Sequence, residues 1–165
     1  MNEKTQTFIK HVGMWTAAIV GSIVGIEIIA GYLISWGPGG AMIGPIWRIL
    51  LVGIPSILLG AYVAELYVRK LATKLITIES SILLNGFMAF VLILSGSMLG
   101  FIVGWEIGFF LGKVTNAIEG LGWTEVLLYA PIMSIFYGII PCLIAATLFS
   151  VFVFIYLGSR KTDSV

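Results

Sequence analysis

Four long apolar runs, Val12 to Trp36, Pro45 to Val68, Ile82 to Gly112 and Leu127 to Leu157, take up most of this chain. A helix needs about 20 mostly apolar residues to cross the hydrocarbon of a bilayer. In lipid it also satisfies its own backbone N–H and C=O groups, which an irregular segment cannot do. The runs therefore predict an all-α integral membrane protein with four transmembrane helices. Between them nothing is long enough for a second core, since independent domains take at least about 50 residues, so residues 1–165 are expected to form a single membrane domain. Composition agrees: 59% of residues are hydrophobic and 10% charged, against roughly 25% charged in soluble domains.

Lys4, Lys10 and His11 precede the first run as they would in a signal peptide. That run, however, exceeds the roughly 7 to 15 residues of such a segment and has no A-x-A site, so it is read as a retained helix. The remaining cations report sidedness. Arg69, Lys70 and Lys74 follow the second run and Arg160 and Lys161 follow the fourth, whereas the opposite side has only Arg48 and Lys113. Both termini are thus expected on the cytoplasmic side, in the cell membrane. Gly37-Pro38-Gly39-Gly40 reads as a tight external turn. Thr115 to Thr124 reads as a longer external loop, with Glu119 in it and Glu125 at its exit. Trp15, Trp36, Trp47, Trp105 and Trp123 mostly fall near the interfaces, where amphipathic rings collect.

Several function classes drop out. A formal charge of +1, with no run of Lys/Arg longer than two, leaves no basic stripe for nucleic acid. A single cysteine, Cys142, gives no disulfide framework and no metal-ligand spacing, and it reads as a small buried hydrophobe. No serine sits beside a plausible base, and His11, the sole histidine, is interfacial. The chain is therefore expected not to be an enzyme and to use no metal and no cofactor.

The chain matches itself once. Gly21-Ser22-Ile23-Val24-Gly25-Ile26-Glu27-Ile28 aligns with Gly100-Phe101-Ile102-Val103-Gly104-Trp105-Glu106-Ile107, and six of the eight positions agree. Downstream, Pro45 and Pro55 align in order with Pro131 and Pro141, and each half closes on a basic pair, Arg69-Lys70 or Arg160-Lys161. These features point to a duplicated two-helix hairpin with parallel repeats, about 12–70 and about 82–161. A duplicated hairpin with a membrane glutamate looks superficially like the proteolipid of rotary V-type ATPases. That family carries its carboxylate on the second helix of a hairpin, whereas Glu27 and Glu106 lie on the first, so no family is assigned.

Glycine recurs every fourth residue at Gly96, Gly100, Gly104, Gly108 and Gly112, and more briefly at Gly13, Gly21 and Gly25, with Ala17 between. Such a ridge lets two helix backbones approach closely, which predicts glycine-ridge packing. The first helix against the third, or against a second copy, are the expected pairings. Glu27 and Glu106 each follow a ridge glycine by two residues, about 200° around the helix, so each should face the second or fourth helix or a neighbouring subunit. A membrane carboxylate is costly and normally lies on a pathway or in a paired site. Arg48, and Lys113 on the face of Glu106, are the candidate countercharges. Pro55 and Pro141 lie inside their runs, where a missing N–H frees a carbonyl and kinks a helix, while Pro45 and Pro131 start theirs. Glu65 and Glu79 read as partners of the basic residues near them.

The expected function is a small transporter- or channel-like protein that moves a proton, small cation or small polar solute past Glu27, Glu106 and Arg48. The expected partners are the lipid bilayer and either further copies of the chain or other membrane subunits. The alternative is a non-catalytic subunit or assembly factor of a larger membrane complex.

Overall fold

A computed structural model of the protein describes residues 3–35, 46–76, 82–115, 122–124, 127–128 and 130–162. Among these residues are four long helices, α1 (Glu3–Ser35), α2 (Ile46–Leu75), α3 (Ile82–Val114) and α4 (Ala130–Thr162), each long and apolar enough to span a membrane. The Gly37 to Gly40 turn, Pro45, Glu79, Glu119 and Glu125 lie outside the described residues.

The helices overrun the apolar runs that announced them. α1, α3 and α4 have 33 residues each, about 50 Å at 1.5 Å per residue, against about 30 Å of hydrocarbon. α1 accordingly begins at Glu3 rather than Val12, and Arg69, Lys70 and Lys74 belong to the last turns of α2 rather than to a connection. Arg160 and Lys161 likewise lie in the last turn of α4. Hydropathy marks where a helix leaves the hydrocarbon, not where it ends. Lys, Arg and Glu are good helix formers and let it continue into the interface.

Contacts run mainly between chain neighbours, with α1 also touching α3. α2 packs against both α1 and α3, whereas α4 packs on α3 and meets α1 only at its margin. Gly13 lies opposite Arg69, Gly21 opposite Ala61 and Gly53 opposite Ile28, so α1 and α2 are antiparallel. The pairing of Gly96 with Val68 and of Gly104 with Ser56 makes α2 and α3 antiparallel as well. At one end Phe8, Ile9, Val12, Val68, Ala72, Ile76, Ala89, Leu92, Ile93 and Ala146 form a buried cluster. Farther along, Val20, Val24, Ala64, Phe101 and Cys142 form a second. Large apolar side chains such as Leu58, Phe136 and Phe152 stay exposed, as lipid-facing groups do, because helix association in lipid rests on close packing rather than on removal from water.

The closest approach joins α3 to α2. A methyl group on Gly100 would lie 2.6 Å from the Gly60 carbonyl oxygen and 2.7 Å from Ala64 Cβ, and one on Gly104 would lie 2.9 Å from the Ser56 carbonyl oxygen. Positions Gly21 and Gly25 of α1 also turn towards α2, but their nearest neighbour, Ile57, would stand at an ordinary 3.5 Å. Both sets turn towards α2, and the α3 ridge also meets α1, where methyls on Gly100 and Gly104 would lie 3.1 Å from Val20 and Val24. α3 meets α4 on another face: Phe101 packs over Gly138, where an added methyl would overlap the ring. Since that ring is fully buried and has nowhere to move, Gly138→Ala is expected to cost about 1–3 kcal/mol, measured by unfolding in mixed micelles.

Among the described residues the one ion pair joins Arg69 Nη1 to Glu65 Oε1, 3.2 Å apart on successive turns of α2. The Arg69 side chain is 47% exposed, so solvent screens the pair. Glu65→Gln is expected to shift stability by less than about 1 kcal/mol in the same measurement. His11, also exposed, donates from Nδ1 to the Thr7 carbonyl at 2.7 Å, because a carbonyl only accepts.

Candidate functional site

Register decides where the two membrane glutamates sit. A methyl on Gly100 would lie 3.1 Å from Val20 Cγ1, and one on Gly104 3.1 Å from Val24 Cγ2. Both pairs have the same sequence offset, so α1 and α3 run parallel here. Carried three residues further, that offset brings Glu27 level with Ile107, within about 1.5 Å along the axis of Glu106. The two carboxylates therefore share one depth.

Their directions differ. Gly104 faces α2, so Glu106, about 200° around α3, lies on the side turned away from α2. Trp105 covers the α4 side through its contact with Tyr137. Glu27 is three residues from Val24, about 60° around α1, and so flanks the contact of α1 with α3.

Glu106 Oε1 is buried and has no hydrogen-bond partner among the described residues. Lys113, on the same face of α3, makes no ion pair with it; seven residues separate them by about 10 Å. Glu27 is half-buried and unpaired among the described residues. Arg48 is in the first turn of α2, and its side chain lies outside the described residues. An ionised carboxylate in hydrocarbon costs a few kcal/mol on insertion scales.

Aromatic rings cluster along this stretch of α3, and sequence reading passed over them. The Trp105 ring lies 5.4 Å from Phe101, 5.5 Å from Phe109 and 5.6 Å from Tyr137, the last stacked at 14°. Phe110 meets Trp123 at 5.8 Å. Phe109 and Phe110 stand three and four residues beyond Glu106, which makes them its neighbours on the helix surface. The signal was the four-residue spacing of Phe101, Trp105 and Phe109, obscured by reading Trp105 as an interfacial anchor. Trp105 Nε1 is also buried without a partner among the described residues.

Both helix prolines lie within continuous helices, Pro55 in α2 and Pro141 in α4. Lacking an N–H, each leaves the carbonyl four residues earlier without its helical donor. For Pro141 that carbonyl belongs to Tyr137, whose ring stacks on Trp105. Elsewhere hydroxyls close back on their own helix: Thr16 on Val12, Ser56 on Val52 and Ser134 on Pro131. Ser97 Oγ, fully buried, is the exception and has no partner among the described residues.

Comparison with protein-family models, curated proteins and solved structures finds no match for this chain.

Proposed function

We propose that this protein is a small transporter- or channel-like membrane protein that moves a proton, small cation or small polar solute past Glu27 and Glu106. The observation that carries this reading is a buried carboxylate oxygen on Glu106 with no partner among the described residues, at the depth of a second membrane carboxylate. A carboxylate kept only for structure would be expected to have a donor. Arg48, on the second helix, is assigned the role of tuning the charge of this level.

The duplicated hairpin belongs to this proposal. The sequence repeat places Glu27 and Glu106 79 residues apart, close to the offset at which α1 and α3 align. The glycine ridges are assigned to close helix packing, with the bilayer and further copies of the chain as partners. Four helices make a thin wall for a pathway, and Glu106 lies on the side of α3 turned from α2, which favours a site completed by self-association. Both termini are assigned to the cytoplasmic face of the cell membrane from the Lys/Arg distribution.

Purified protein in liposomes is expected to support a proton or cation flux that Glu27→Gln or Glu106→Gln removes. Absence of any such flux would overturn the proposal. One observation favours the second reading, a non-catalytic subunit of a larger complex: only 17% of the apolar window of α4 is buried within the chain. On that reading other chains co-purify in mild detergent, and substitutions disturb assembly rather than flux.

A further inference from the structure

Positive charge collects where α1 begins and α2 finishes. There the stem of Arg69 crosses to α1: a methyl on Gly13 would lie 2.6 Å from its Cγ and 3.1 Å from its Cδ. The missing side chain at Gly13 lets Arg69 lie along the seam between the two helices, and the contact puts both residues at one level. Lys10 stands one turn along α1, about 4.5 Å nearer the same end and about 60° around the helix from Gly13. Buried Val12 and Thr16 fall to the other side of Gly13, so Lys10 turns outward along the seam. α2 repeats the pattern, with buried Val68 and Ala72 to one side of Arg69 and Thr73, one turn on, about 40° to the other. Lys10, Arg69, Lys70 and Thr73 are all exposed.

Acidic opposition in this band is slight. Among the described residues it amounts to Glu65, whose Oε1 takes one Arg69 nitrogen at 3.2 Å. A guanidinium has five donors, and the Arg69 side chain keeps 47% of its surface exposed. Deeper in the membrane the same outward faces are apolar. Tyr62 and Leu66 lie within about 60° of Arg69 on α2, Met14 follows Gly13 on α1, and all three are exposed. Lys and Arg gather at membrane ends whatever they bind. What distinguishes this end is that one cation is laid across the neighbouring helix, beside a second, above an apolar flank. A free phosphate would meet only the charges, whereas a phospholipid meets both parts.

We propose that Lys10, Arg69, Lys70 and Thr73 bind the phosphate headgroup of an anionic phospholipid whose acyl chain lies along Met14, Tyr62 and Leu66. The site stands independently of the transport reading.

The test is native mass spectrometry of the detergent-purified full chain titrated with phosphatidylglycerol. Retention is expected at about tenfold lower concentration than for phosphatidylcholine, since each nearby Lys or Arg strengthens attraction to an anionic lipid about fivefold. Lys10→Gln and Arg69→Gln should each bind about fivefold more weakly. Glu65→Gln, which removes the competing carboxylate, should bind at least as tightly as the native chain. Gly13→Ala keeps every charge and pushes only a flexible stem aside, so its elution profile should be unchanged while its lipid binding falls. Lys113→Gln, in the last turn of α3 at the opposite end, should bind normally, and glycerol phosphate should not displace the lipid. Equal retention of phosphatidylcholine, or native binding by Lys10→Gln, Arg69→Gln or Gly13→Ala, overturns the site. An equal loss in Lys113→Gln shows diffuse charge attraction and overturns it too. Displacement by glycerol phosphate removes the acyl chain from the interaction and with it the lipid assignment.

Discussion

Gly100→Leu is expected to separate α2 from α3 and to leave little folded protein after mild detergent extraction. Even a methyl group at this position would stand 2.6 Å from the backbone oxygen of Gly60 and 2.7 Å from Ala64 Cβ. Neither atom ends a flexible side chain, so one helix has to move. Overpacking of this kind typically costs about 1–3 kcal/mol for modest insertions, and a leucine adds three more carbons to the methyl already in conflict. Gly60→Leu should behave alike, because its own added methyl would lie 2.7 Å from the Gly100 carbonyl oxygen. Gly25→Ala is the control: there the methyl would find Ile57 Cδ1 at 3.5 Å, an ordinary contact, and stability should change by less than about 0.5 kcal/mol. Unfolding midpoints in mixed micelles would check the contrast. Equal losses at Gly25 and Gly100 would refute the close approach of α2 to α3.

Glu106→Gln should remove flux without removing the fold. Glutamine keeps the size of the side chain and its hydrogen-bonding capacity but cannot carry a proton or balance a cation, so the rate in liposomes is expected to drop to the protein-free level. The described residues give Glu106 Oε1 no donor to lose, and the substitution breaks no bond among them. An unchanged elution profile should accompany the lost flux. Glu27→Gln is expected to reduce flux as well, since α1 and α3 align with both carboxylates at one depth. If either glutamine variant transports as well as the native protein, that glutamate is not on the pathway.

How much of this was legible beforehand depends on which physical rule governs each element. The apolar runs located all four helices because lipid imposes its constraint residue by residue along the chain. Their ends were misplaced at Glu3 and at Arg69 to Lys74 because the same rule falls silent once a helix reaches water. Glu106 stood out at once, since charge in an apolar run is conspicuous whatever the fold. The stacking of Trp105 on Tyr137 did not, because Tyr137 reaches it from another helix and no spacing within one run encodes that contact.

The glycines divide along the same line. Their four-residue spacing can be read from the chain, and it says that some helix is able to come close. Which helix does so, and at which glycines an added methyl would collide, depends on the side chains opposite: Gly60 and Ala64 against Gly100, but Ile57 against Gly25. The sequence by itself determined the solvent this chain folds in, the number of its helices and the residues whose charge is out of place there, because those follow from transfer free energies along one strand of chain. Only the tertiary structure decided the partner of each helix face, the common level of Glu27 and Glu106 and the ring cluster between α3 and α4. Those depend on register between helices, which is set by packing across residues far apart in sequence.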